Sequence, residues 1–383
     1  MRQTASIIST YTADVSGVAS ALFELGGMTV IHDASGCNST YNTHDEPRWY
    51  NHDSLVFISA LSEMDAMMGS DDKLINDIIE TARELHPKFI AIAGTPIPMM
   101  IGTDLNAIAK VVEDSTGIPS FGLNTNSMHT YISGISKAFL ALAKRFVKTD
   151  SHRQQGTGKV NIIGLTPLDY SINGSDSSMR QWLQDSGMQV CSSWAMGSTL
   201  EEIENAGNAD VSLVVSYDGL AAARYLYDTY QIPYVIGSPL GSSFSDMLVQ
   251  ALKEASTSGQ CSVPYLHSGN DSSHIVLIGE SVYCESLASS IAHEYGKPCR
   301  VICPVETEQK LLNAVDVIAE DEDDIIPGLS EDDIIIADPL YKPICPPGSR
   351  FYSLPSESFS GRIYRQDIPN LINRSIKKED KNI

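Results

Sequence analysis

No apolar run in this 383-residue chain approaches the ~20 residues that a bilayer-spanning helix needs, so none is expected. Basic charge is scarce: 26 lysines and arginines stand against 48 aspartates and glutamates, a formal charge of −22. Phosphate backbones are held by cationic side chains, so a nucleic-acid role is not expected. Much of the excess acid falls in two late clusters, residues 320–324 and 331–333, which read as solvated surface in preference to a docking patch. The opening Met-Arg-Gln-Thr-Ala-Ser lacks an apolar signal core, which makes the cytoplasm the expected compartment. The seven cysteines (37, 191, 261, 284, 299, 303 and 345) are odd in number and form no Cys-x-x-Cys pair, against a disulfide scaffold. A complete dinucleotide fingerprint and a Walker lysine motif are both missing, so this chain does not read as a nucleotide enzyme.

What is present is alternation. Apolar strand-like runs and amphipathic helical stripes follow one another almost throughout, the mark of parallel sheets covered by helices on both faces. Val15, Val18, Leu22 and Leu25 fall at helical spacing, with Asp14 as N-cap and Gly26-Gly27 as the stop. Residues 28–31 and 89–93 read as buried strands, and Leu74, Ile78, Ala82 and Leu85 as a helical stripe ended by His86-Pro87. Further helices are expected from Thr103 or Asp104 and over about 131–146. Polar stretches at 148–159 and 256–273 divide the chain into three α/β units, 1–155, 156–265 and 266–383. The second and third open alike, with a buried run ending in Ile163-Gly164 and Ile278-Gly279. Ligands in such sheets sit beyond the carboxyl ends of the strands, which singles out the loops 94–98, 164–169, 216–219, 237–242 and 279–281.

The strongest chemical feature is His32-Asp33-Ala34-Ser35-Gly36-Cys37, which places a cysteine where a buried strand gives way to a polar loop. A thiolate there can bind a soft metal or an iron–sulfur cluster, and the competing reading is a small packing thiol. Cys299 and Cys303 share a strand face and read as core thiols before a metal pair. His44, Glu46, Arg48, Trp49, Tyr50 and His52 form a dense polar–aromatic segment, equally suited to a cavity wall and to an ordered surface loop.

The order helix, His32-to-Cys37 loop, then Gly94-Thr95-Pro96 leading into Ile101-Gly102-Thr103-Asp104 resembles the first domain of the nitrogenase component 1 family. There a His-Gly-x-x-Gly-Cys loop supplies a cluster ligand and an Ile-Gly-Asp-Asp motif opens a later helix. Gly197-Ser198-Thr199-Leu200-Glu201 and Gln231-Ile232-Pro233-Tyr234 are similar to that family's middle-domain phrases, and Asp338-Pro339-Leu340 to a late strand end. The resemblance implies three Rossmann-like units of nitrogenase component 1 type. It also implies an iron–sulfur cluster with Cys37 as ligand and His32, Gly36, Thr95 and Pro96 around it. Cys191 stands where the family's α subunit binds its active-site cofactor, and is either a second ligand or a packing thiol. Where the family has its other two cluster cysteines, this chain has Thr10-Tyr11-Thr12 and Thr95-Pro96, and neither hydroxyls nor proline replace thiolates. A cluster would therefore be shared between subunits, in a homo-oligomer or with a paralogous, cysteine-richer subunit. The activity implied is that of an oxidoreductase component fed by an iron-protein-like reductase, with ATP bound only on that partner. The alternatives are a non-catalytic scaffold for a metallocluster or tetrapyrrole, and a ligand-binding relative that has lost its cluster.

Overall fold

The computed structural model describes residues 5–34, 45–69, 71–150, 156–267 and 273–376. Among the described residues thirteen strands form three sheets in chain order, every pairing within them parallel. The first holds β1 (Met28–His32), β2 (Leu55–Ile58), β3 (Ile90–Gly94) and β4 (Ser120–Leu123), in the order β2-β1-β3-β4. The second holds β5 (Lys159–Leu165), β6 (Gln189–Ala195), β7 (Val211–Val214) and β8 (Tyr234–Ile236), in the order β6-β5-β7-β8. The third holds β9 (Ile275–Ile278), β10 (Arg300–Cys303), β11 (Val317–Ile318), β12 (Ile334–Ala337) and β13 (Arg350–Ser353), in the order β11-β10-β9-β12-β13. The α/β architecture expected from the alternating pattern is the one observed, with helices flanking parallel sheets.

Burial explains the strand signals. β1, β3, β7 and β9 are buried along their whole lengths, as continuous apolar runs covered on both faces must be. In each sheet the first strand is central, with its successor on one side and a later strand on the other. Chain direction across the sheet thus reverses beside β1, β5 and β9, and a crevice opens outside the strand ends at each switch. Three switch points, β1/β3, β5/β7 and β9/β12, are where ligand chemistry belongs.

Two local expectations are corrected. Ala13, not Asp14, is the N-cap of the helix Asp14–Leu22. The buried Asp14 carboxylate instead accepts from the backbone N–H groups of Asn126 (3.0 Å) and Ser127 (2.8 Å), fastening a loop far along the chain. The polar stretch at 256–273 also begins too early, because the helix Ser242–Ser258 runs into it, its buried stripe of Phe244, Leu248, Leu252 and Ala255 carrying the helical period onward.

Candidate functional site

At the first switch point the strand ends are tied together by side chains. The Thr95 hydroxyl, fully buried just past β3, donates to Asp33 Oδ1 at 2.7 Å and lies 3.0 Å from the His32 carbonyl. His32 Nδ1 meets Ser59 Oγ at 2.8 Å, and Ser59 Oγ accepts from the Asp33 backbone N–H at 3.1 Å. Burial pushes the His32 imidazole below its ordinary value, so it is neutral at pH 7. Pro96 opens the six-residue helix Pro96–Ile101, where its missing N–H costs nothing. His32, Thr95 and Pro96 therefore do converge on one strand edge. Gly36, Cys37 and His44 lie outside the described residues.

Cys191 sits elsewhere. It is the third residue of β6, an edge strand, and its thiol donates to the Asn205 carbonyl at 3.4 Å. Four residues separate it from the strand's carboxyl end, roughly 13 Å of extended chain. The six described cysteines form no disulfide. Cys303 is buried with its thiol pushed up by desolvation, and half-buried Cys299 is pushed up to about 12, as packing thiols behave. Of the polar–aromatic segment, Glu46 and Arg48 are buried in ion pairs while Tyr50 is exposed.

The Thr10 and Thr12 hydroxyls are already engaged. Thr12 Oγ1 donates to the Ser358 carbonyl at 3.0 Å, and Thr10 Oγ1 lies 3.1 Å from the Thr12 carbonyl. Among the described residues no three His, Cys, Asp or Glu side chains converge as a metal site. The described part of one chain does not complete a cluster shell.

Between the first and third sheets lies a crevice of about 690 Å³. Its walls are the segment Thr10–Ala13, the loop 127–130 after β4, and the carboxyl ends of β10 and β11. Glu306, just past β10, accepts from the Thr130 backbone N–H at 3.0 Å and from the Thr130 hydroxyl, and stands 3.7 Å from His129 Nδ1. This volume is within the range of small-molecule sites.

Sequence reasoning missed a group of acids at the other two switch points. Asp169 follows β5, Asp218 follows β7 and Glu280 follows β9; all three are buried. Tyr131 Oη donates to Asp169 Oδ1. Burial, then the nearby Glu280 charge, pushes the Asp169 carboxyl up to about 7. The signal was that each acid lay within one of the expected ligand loops, 164–169, 216–219 and 279–281, and an acid in a loop is unremarkable until the sheet order brings the three loops together.

These shifts fix a pH dependence. A carboxyl raised on folding keeps its proton where the unfolded chain has lost it, so its contribution is fully present below the ordinary value near 4 and disappears as pH rises through the folded value. Asp169 loses its share by about pH 7. Glu285, pushed up to about 9 by burial and by its partner Asp316, extends the loss. Glu308 works oppositely: Arg224 holds it down to about 2, and that stability disappears in acid. Thermal unfolding should therefore show a midpoint that is highest near pH 5 and falls steadily to pH 9; a flat profile across that range would contradict the assignment.

Residues 15–265 match the sequence profile of the family described as nitrogenase component 1 type oxidoreductase. The nitrogenase molybdenum-iron protein alpha chain of Clostridium pasteurianum is 26% identical over 53% of this chain and 37% of its own length. The nitrogenase iron-molybdenum cofactor biosynthesis protein NifE of Methanosarcina barkeri is 27% identical over 48% of this chain and 42% of its own. A subunit of the light-independent protochlorophyllide reductase of Crocosphaera subtropica is 22% identical over 60% of this chain and 47% of its own. The chain thus spans less than half the length of these curated relatives. A solved structure described as nitrogenase Cp1 at pH 6.5 superposes with a TM-score of 0.69 at 16% identity, covering 97% of this chain and 92% of that one, which shows the shared fold. A profile match over well more than half of the residues, carried by the first two sheets, establishes the assignment: the chain belongs to the nitrogenase component 1 type oxidoreductase family.

Proposed function

We propose that this chain is an electron-accepting subunit of a nitrogenase-like oxidoreductase, supplied by a separate ATP-dependent iron–sulfur reductase and reducing a substrate held in the crevice between the first and third sheets. The observation that carries the reading is the tied end of β1, which Cys37 follows in sequence. His32 and Asp33 lie at the first switch point, five and four residues ahead of Cys37 in the chain. An iron–sulfur cluster held there would supply one-electron transfer, with Cys37 as one ligand and the remaining ligands from a second subunit. His32, Gly36, Thr95 and Pro96 would shape the loop base, and Cys191 would remain a packing thiol or a separate ligand. The division at 155/156 and 265/266 belongs to the same reading.

An exposed apolar face supports a partner at this edge. Met64, Met67 and Met68 on the helix Glu63–Met68 and Met99 and Met100 on the neighbouring helix Pro96–Ile101 are exposed. Both helices begin at the carboxyl edge of the first sheet, and clustered exposed methionines are adaptable docking surface. No described helix is long and apolar enough to cross a membrane, and a cytoplasmic location fits this reading.

The similarity to a protein named for cofactor biosynthesis favours one second reading, a scaffold that holds a metallocluster without catalysis. Protein purified without oxygen should contain iron and acid-labile sulfide, and Cys37→Ser should lose most of both while keeping its fold by circular dichroism. Cys191→Ser should retain them. Iron-free wild-type protein would remove the electron-transfer reading. Iron-loaded protein that passes its iron to an acceptor protein, and is not reoxidised by any small substrate, would place the scaffold ahead.

A further inference from the structure

We infer that the junction of the second and third sheets is a buried proton-binding site, in which Asp169 and Asp218 rest as neutral carboxylic acids beside a charged Glu280. Among the described residues, nine buried side-chain polar atoms lack a hydrogen-bond partner, and five of them gather here: Asp218 Oδ1 and Oδ2, Asp169 Oδ2, Thr166 Oγ1 and Ser216 Oγ. That concentration marks a site, since buried polar groups are otherwise almost always satisfied. Asp218 is completely buried and Asp169 is 8% exposed.

The groups facing the two aspartates come from every element packed around them. Tyr131 reaches Asp169 from the helix Tyr131–Phe146, Ser216 lies near both carboxyls after β7, and Glu280 acts on both from the end of β9. Tyr170 and Tyr283 adjoin them, with Cys284 behind. None of these is basic. Glu280 accepts four hydrogen bonds: from the N–H groups of Tyr217 (3.0 Å), Val282 (3.0 Å) and Tyr283 (2.8 Å), and from the Ser281 hydroxyl (3.0 Å). Burial pushes Glu280 up as well, but these donors oppose that and favour its charged form, whereas Asp218 has no donor beyond the nearby Ser216 hydroxyl. A second and third negative charge here would have neither a cation nor donors enough, so protonation is the inexpensive state. Tyr131 already donates to Asp169 Oδ1, which leaves the acid proton on Oδ2, the unpartnered oxygen.

The backbone makes room for this arrangement. A Cβ on Gly164 (φ +98°) would stand 2.9 Å from Asp218 Oδ1 and 2.9 Å from the Ser216 nitrogen. A cavity of about 30 Å³ adjoins Asp169 and Glu280, enough for about one or two waters to relay a proton.

The full chain at pH 6, below the value to which Asp169 is raised, tests the site by infrared spectroscopy. Wild-type protein should show protonated-carboxyl C=O bands that shift down in D2O. Asp218→Asn and Asp169→Asn should each remove one component, and the component of the separate Glu285–Asp316 pair should persist in both. Asp169→Asn carries the test alone if Asp218→Asn does not fold. Unchanged bands in the folded variants would overturn the proposal. So would a stoichiometric cation found by elemental analysis of wild type and lost from Asp218→Asn, because the carboxyls would then be charged ligands.

Discussion

Gly134→Ala should destabilise the protein severely, by more than about 3 kcal/mol, although alanine is the better helix former by about 1 kcal/mol. The helices Asp14–Leu22 and Tyr131–Phe146 cross in backbone contact: a Cβ on Gly134 would stand 1.7 Å from the Asp14 carbonyl oxygen, and one on Gly17 would stand 2.2 Å from that of Tyr131. Neither obstacle is a flexible side-chain end, so a methyl group can be admitted only by separating the helices. That separation would disturb both ends of the functional region, because Asp14 anchors the 126–127 loop and Tyr131 reaches Asp169. Urea denaturation with Ser136→Ala as control measures the effect, and a variant as stable as wild type would refute the close crossing.

Arg48→Met should cost about 3–5 kcal/mol, the range for removing one partner from a buried ionic cluster. Arg48 is 4% exposed and its five guanidinium donors are all used, the fifth by the Ser20 hydroxyl (3.3 Å). Nε binds Glu46 Oε1 (2.6 Å), Nη1 binds Glu24 Oε1 (2.9 Å) and the Ala195 carbonyl (3.2 Å), and Nη2 binds the Ser20 carbonyl (2.7 Å). The group also stacks 4.9 Å from the centre of Phe23. Methionine restores the volume and strands two carboxylates. Arg48→Lys should fall between, since an ammonium keeps the charge but cannot reproduce the planar fork. A loss under about 1 kcal/mol for Arg48→Met, read from the denaturation midpoint, would mean that the cluster is solvated.

These two residues show what was legible in the chain and what was not. β3 and β9 were readable because a continuous apolar run has few alternatives to a doubly covered strand. His32 and Thr95 were readable through the resemblance, but their partners Asp33 and Ser59 were not. The bonds linking them span 26 to 62 residues, and no local pattern encodes a hydrogen bond across such a gap. Arg48 was visible in a polar–aromatic segment equally suited to surface and cavity; only the neighbouring Glu24 and the end of β6 decide for burial. Asp14 looked like a helix cap because its position satisfied the capping pattern, while its carboxylate was engaged by a loop more than a hundred residues away. Asp169, Asp218 and Glu280 lay within expected ligand loops, yet each alone was an ordinary turn acid.

Native mass spectrometry of protein purified without oxygen tests most directly whether Cys37 holds metal between two subunits. An oligomer carrying the added mass of an iron–sulfur cluster is expected, with that mass absent from Cys37→Ser. A monomer retaining the cluster mass, or an oligomer whose metal content is unchanged by Cys37→Ser, would contradict it.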